Sequence, residues 1–126
     1  MKFLLDTHAF LWAASDPAKL SPAARDVCET GELSLSVASL WEIAIKVQIG
    51  RLPLPEPYRP FLTAQLRAGQ ISVLPVHARH ALRLAELPLH HRDPFDRMLA
   101  AQSLEEDLPL ISCDSQFELY GVKHIW

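Results

Sequence analysis

Lys2 Phe3 Leu4 Leu5 Asp6 Thr7 His8 opens the chain, a short apolar run that stops abruptly at a carboxylate. Apolar residues without polar alternation suit a strand covered on both faces, the usual state in a parallel sheet flanked by helices. In open sheets of that kind ligands bind beyond the carboxyl ends of the strands, where the strand order reverses. Asp6 is expected at such an end, in a chemical rather than a structural position.

Working outward, helix and strand signals alternate. His8 to Ala14 is helix-compatible and closes at the turn signal Asp16 Pro17, and Ser21 caps a second helix with Pro22 at its first position and Gly31 past its end. Leu33 to Ser36 reads as a second strand. Ser39 is expected to open a third helix, on which Leu40, Ile43, Ala44 and Val47 share one face before Gly50 stops it. Arg51 to Pro57, with three prolines in seven residues, is a loop. A fourth helix follows from Tyr58 to Ala68, then a third strand from Ile71 to Leu74, ended by Pro75. Ala78, Ala81, Leu82 and Ala85 mark a fifth helix, and Asp93 Pro94 starts a sixth with Phe95, Met98 and Leu99 on its inner face. Leu108 to Ser112 is a fourth strand, Ser115 to Leu119 a helical turn, and Val122 to Ile125 a last strand. This pattern predicts an α/β fold in three layers with a parallel sheet and right-handed crossovers.

Composition bounds the function. A chain of 126 residues has room for one core, so a single domain over residues 1–126 is expected. A net charge of −3 argues against a general nucleic-acid coat protein, which needs a basic excess, but not against an enzyme that touches few phosphates. Cys28 and Cys113 are too few and too far apart for a disulfide framework or a metal knuckle, and are expected as small buried hydrophobes. No stretch has signal-peptide or membrane-spanning length, which places the protein in the cytoplasm and off the membrane.

Four acids fall at comparable places: Asp6 after the first strand, Glu42 in the first turn of the third helix, Asp96 in the first turn of the sixth, and Asp114 after the fourth strand. Each has a structural explanation. Asp6 and Asp114 can cap helices, Ser39 with Glu42 reads as a capping box that Lys46 supplements, and Asp93 with Asp96 resembles the same box. Jointly, however, they would gather negative charge at one end of one small sheet, which costs stability unless a cation sits among them. Mg²⁺ takes one or two carboxylates, keeps several waters and leaves room for a substrate phosphate, so the pattern points to phosphodiester hydrolysis.

Four segments carry a resemblance. They are Leu4 to His8; Ser39 Leu40 Trp41 Glu42 Ile43 with Lys46; His91 Arg92 Asp93 Pro94 Phe95 Asp96 Arg97 Met98 Leu99 Ala100 Ala101 Gln102; and Leu110 Ile111 Ser112 Cys113 Asp114. In this order the chain resembles the PIN-domain ribonucleases, and more closely the VapC-type toxins of bacterial toxin-antitoxin pairs. The resemblance implies four to five strands in the order 3-2-1-4-5, with Mg²⁺ or Mn²⁺ held by Asp6, Glu42, Asp96 and Asp114, which are then also the catalytic residues. It further implies endonucleolytic cleavage of RNA, neutralisation by a small antitoxin protein, and a homodimer. Cys113 departs from the residues common beside the last acid in that family.

Around these acids, Thr7 and Ser112 carry hydroxyls that can orient a carboxylate or a metal-bound water, or simply bond local backbone. Arg92 and Arg97 are candidates for a substrate phosphate, or for balancing Asp93 and Asp96. His90 and His91 lack partners for a closed zinc set and read as exposed loop residues. Phe10, Trp12 and Trp41 read as packing residues, which would give the proline-rich loop an apolar groove beside them. Competing readings are a non-toxin PIN-domain nuclease, a receiver-like regulatory binding domain, an aspartyl-phosphate phosphatase, and a non-catalytic relic. A receiver needs an acid after the third strand, where Leu74 Pro75 Val76 stands, and the phosphatase needs a second acid two residues after Asp6, where His8 stands.

Overall fold

The structure is a computed structural model, and it describes residues 1–90 and 92–126. Its order is β1 (Lys2–Leu5), α1 (Thr7–Ser15), α2 (Pro22–Thr30), β2 (Glu32–Ser36), α3 (Val37–Gln48), α4 (Tyr58–Ala68), β3 (Ser72–Leu74), α5 (Ala78–Arg83), α6 (Pro94–Glu106), β4 (Leu110–Ile111) and β5 (His124–Ile125). Short 3-10 turns cover Pro17–Lys19, Leu84–Glu86 and Ser115–Tyr120. The five strands form one sheet in the order 3-2-1-4-5, and every pairing is parallel. β1 is therefore central, as its unbroken apolar run requires.

The two faces of β1 feed two cores. Phe3 and Leu5 pack with Phe10, Leu35, Ile43 and Ile111 on one side. Leu4 packs with Leu99, Leu110 and Phe117 on the other. Leu4 and Leu5 are wholly buried, each contributing roughly 1.5–3 kcal/mol by leaving water. Leu5 is level with both Leu35 and Ile111, so the residues that follow all three strands emerge together at one end of the sheet.

Several boundaries differ from the sequence expectation. The third helix begins at Val37 and is capped by Ser36, whose hydroxyl accepts the Ala38 amide at 3.0 Å. Ser39 is buried inside the helix instead of capping it, and Glu42 lies in the second turn, not the first. The reason is that β2 runs into α3 without a loop, so Ser36 ends one element and caps the next. β4 and β5 are shorter than expected, Leu110–Ile111 and His124–Ile125, because ladder pairing, of β4 with β1 and of β5 with β4, and not apolar character, sets their length. On α6 the buried stretch is Leu99 to Ser103, while Phe95 and Met98 are only half-buried. Cys28 is half-buried and Cys113 exposed, so neither is the fully buried hydrophobe expected.

A polar cluster that the sequence pattern did not reveal joins α5 to α6. His80 is wholly buried; its Nδ1 accepts the His77 amide at 3.0 Å and its Nε2 lies 2.8 Å from Glu106 Oε1. The first bond requires the proton on Nε2, which then donates to Glu106. Together with an ion pair from Arg79, this holds the Glu106 carboxyl below its ordinary value.

Candidate active site

Four chain segments deliver carboxylates to the carboxyl end of the sheet. Asp6 follows β1 and caps α1, its Oδ1 accepting the Ala9 amide at 2.7 Å. Glu42 enters from α3. Asp96 sits in the first turn of α6, behind the cap Asp93, whose Oδ1 accepts the amides of Phe95 at 2.8 Å and Asp96 at 3.3 Å. Asp114 follows β4 and caps the turn Ser115–Tyr120 through the Gln116 amide at 2.9 Å. Asp6 and Asp114 are thus both caps; a cap bond uses one oxygen of each and fixes how the carboxylate is aimed, so capping does not by itself take up the other oxygen.

All four acids, with Asp93, Thr7, His8, Lys46, Cys113 and Phe117, line one cavity of about 260 Å³. Asp6 and Glu42 are buried, 6% and 5% exposed, in its floor. Burial raises the Asp6 carboxyl above its ordinary range, against the opposing hydrogen bonds from Ser112 and Ala9. Asp96 is pushed up to about 7, by burial first and then by the charges of Asp93, Glu42, Asp6 and Asp114. Lys46 Nζ answers part of this charge from 3.0 Å beyond Glu42 Oε2.

The donor set suits a hard cation. Every carboxylate is an oxygen donor, although among the described residues no three His, Cys, Asp or Glu side chains are placed closely enough to hold a metal ion as they stand. Oxygen donors of this kind are the ones that hard divalent cations take, keeping part of their water shell.

Residues 3–123 match the PIN domain. The chain belongs to the PIN-domain family. It is 29% identical over 113 residues to the ribonuclease VapC22 of Mycobacterium tuberculosis, covering 88% of this chain and 85% of that one. A second protein of that organism, the ribonuclease VapC16, is 46% identical over 52 residues, 40% of this chain and 37% of its own. Among solved structures, VapBC2 of Rickettsia felis bound to a DNA fragment from its promoter superposes with a TM-score of 0.73 at 13% identity, covering 100% of each chain. DNA-bound VapBC of Salmonella typhimurium gives 0.71 at 18% identity over 98% of this chain and 96% of that one. At such identities the likeness is one of fold, and the strand order of this PIN domain is the one expected.

The neighbouring residues separate on inspection. Ser112 links two of the acids, its hydroxyl bonded to Asp6 and accepting the Asp114 amide at 3.0 Å. Thr7 lines the cavity, and its hydroxyl donates to that of Ser39 at 3.0 Å, tying α1 to α3. Arg97 donates to the carbonyls of Pro88 at 2.8 Å and Leu84 at 3.0 Å, and neither it nor the exposed Arg92 lines the cavity. Arg97 thus straps the loop before α6, a role that its place beside Asp96 did not disclose. His90 is exposed with its ring 5.1 Å from Tyr120, and His91 lies outside the described residues.

The three aromatics do not form one groove with the proline-rich loop. Phe10 is buried in the core, Trp12 lies 5.7 Å from Trp126, and Trp41 is 63% exposed, edge-on to Phe95 at 5.2 Å. The cleft at that loop is lined instead by Val47, Leu52, Pro53, Leu54, Pro57 and Tyr58, among others. Trp41 lies off the buried face of α3, which is made by Ala38, Ser39, Glu42 and Ile43, and its ring packs on Phe95 at the surface instead. No helix among the described residues is long and apolar enough to cross a membrane.

Proposed function

We propose that the chain is a metal-dependent endoribonuclease that cleaves RNA phosphodiester bonds and serves as the toxin of a toxin-antitoxin pair in the cytoplasm. The observation that carries this reading is the meeting of Asp6, Glu42, Asp96 and Asp114 in one small cavity at the carboxyl end of a parallel sheet. Asp6, Asp96, Glu42 and Asp114 are the proposed metal ligands and catalytic residues. A bound Mg²⁺ or Mn²⁺ would supply the positive charge that activates water and stabilises the phosphate during in-line displacement. The chain's own part is to hold the carboxylates in fixed directions: Ala9 and Ser112 aim Asp6, the Gln116 amide aims Asp114, and Asp93 organises the helix start from which Asp96 projects.

The relatives named as ribonucleases support the RNA substrate, and the VapBC complexes support a small antitoxin partner. A homodimer is supported by an exposed stripe along α3, where Val37, Trp41, Ile45 and Ile49 recur at every fourth residue beside Phe95. A receiver-like function is not favoured, since β3 ends at Leu74 with no acid following.

The test is cleavage of labelled structured RNAs by pure protein. Activity is expected with Mg²⁺ or Mn²⁺, and loss is expected in EDTA and in Asp6→Asn; full activity in either would rule the mechanism out. A non-toxin PIN-domain nuclease is distinguished by co-expression: the product of an adjacent reading frame should bind the protein and relieve its toxicity.

A further inference from the structure

Lys46 is, among the described residues, the one lysine or arginine that lines the carboxylate cavity. Its Nζ lies 3.0 Å from Glu42 Oε2, in a pair that is strongly asymmetric: the Glu42 side chain is 7% exposed and that of Lys46 38%. The carboxylate is fixed below the surface, while the ammonium reaches it on a flexible stem with one side in water. An isolated pair at this helical spacing is worth only about 0.3–0.5 kcal/mol. What distinguishes this one is its company, because Asp6, Asp93, Asp96 and Asp114 line the same cavity. Five carboxylates in a confined volume attract any cation, and an ammonium is the strong cation that the chain itself can offer.

An ion held by Glu42 and a lysine held by Glu42 are therefore rivals. Two positive charges within a few ångströms repel, and the lysine, with its flexible stem and solvent access, is the one that can leave. We propose that Lys46 is a built-in counter-ion that competes with the divalent cation for Glu42 and so sets the metal concentration at which the cavity loads. This rests on the metal-dependent reading given above. It is opposed to a second role for the same contact, in which Lys46 steadies Glu42 in its ligating position while metal is bound. The two roles predict opposite signs: removing a competitor tightens metal binding, whereas removing a support weakens it.

The experiment is calorimetric titration of Mn²⁺ into the metal-free full-length protein, its Lys46→Met variant and its Lys46→Arg variant, with no RNA present. Lys46→Met keeps the length of the stem, and Lys46→Gln serves should the methionine protein fold poorly. The neutral variant is expected to bind Mn²⁺ about tenfold more tightly, a gain that shrinks as salt screens the charges. Lys46→Arg should stay close to the parent. In EDTA the neutral variant should melt at a lower temperature than the parent, and saturating Mn²⁺ should erase the difference. Unchanged or weaker Mn²⁺ binding by both neutral variants overturns the counter-ion role while leaving the metal reading intact. Absence of Mn²⁺ binding by the parent as well removes the metal reading itself, and the counter-ion role with it.

Discussion

Replacing Asp96 by asparagine should stabilise the metal-free protein, and the gain should depend on pH. Asp96 is half-buried, and its carboxyl is raised from 3.8 to about 7 by burial and by four neighbouring carboxylates. A raised acid means that the folded chain keeps this proton where the unfolded chain has released it. Stability contributed by that proton is complete below the unfolded value and is lost as pH rises toward the folded one. Taken at face value, the gap between 3.8 and about 7 corresponds to about 4 kcal/mol at roughly 1.4 kcal/mol per pH unit. Because Asp96 is only half-buried and solvent screens part of each repulsion, about 1–2 kcal/mol is the expected penalty above pH ~7. Asparagine carries no charge at any pH and escapes it. Urea unfolding in EDTA should therefore show Asp96→Asn about 1–2 kcal/mol more stable than the parent near pH 8 and nearly equal to it near pH 4. A variant less stable than the parent at the higher pH, or a difference independent of pH, would show that the carboxylate supports the fold and that repulsion among the acids is not the dominant effect there.

Three further perturbations test separate parts of the site. Asp93→Ala removes the cap on α6 and should cost about 1 kcal/mol in denaturant melts, whereas Asp93→Asn, which keeps an acceptor, should retain measurable cleavage; a dead but stably folded Asp93→Asn beside an active Asp96→Asn would put the ligand on the other acid. Ser36→Ala should likewise cost about 1 kcal/mol, since Ser36 caps α3, and a negligible change there beside a large one at Ser39→Ala would restore the cap to Ser39. Trp41→Glu should shift a dimer to monomer in sedimentation without lowering the melting temperature by more than a few degrees, because the ring is mostly exposed; an unchanged sedimentation coefficient would remove α3 from the interface.

Those elements whose local signals and tertiary surroundings agree could be read from the amino-acid order alone. The run Phe3 to Leu5 is buried on both faces because β1 is central, so unbroken apolarity was a faithful sign of its place. Ser21 with Pro22, and Asp93 with Pro94, cap their helices as their chemistry demands, since the cap bond is made within one turn of chain. Tyr58–Ala68 could be read as well, since it stops at Gly69, although its N-cap Pro57 makes no side-chain cap bond. Asp6, Asp96 and Asp114 could be picked out because each stands at or just inside such a local boundary, whereas Glu42 lies deeper in its helix than its local signals indicated.

Only the tertiary structure decided how those acids stand toward one another and what surrounds them. Ser36 and Ser39 are equally good caps by composition, and because β2 runs straight into α3 the cap falls on Ser36, which places Glu42 about a turn deeper than expected. Arg97 has the sequence position of a phosphate ligand, yet its hydrogen bonds to Leu84 and Pro88 depend on a loop that returns across the start of α6. His80 and Glu106 stand 26 positions apart, and no periodicity joins them. The apparent affinity of Asp96 for its proton likewise belongs to no single segment, since it sums burial, the charge of its neighbour Asp93 and those of Glu42, Asp6 and Asp114 from distant parts of the chain. Caps and helix faces are short-range consequences of backbone geometry and can be read along the chain. Charge repulsion, burial and ion pairing act through space, so they exist only once the parallel sheet has brought its carboxyl ends together.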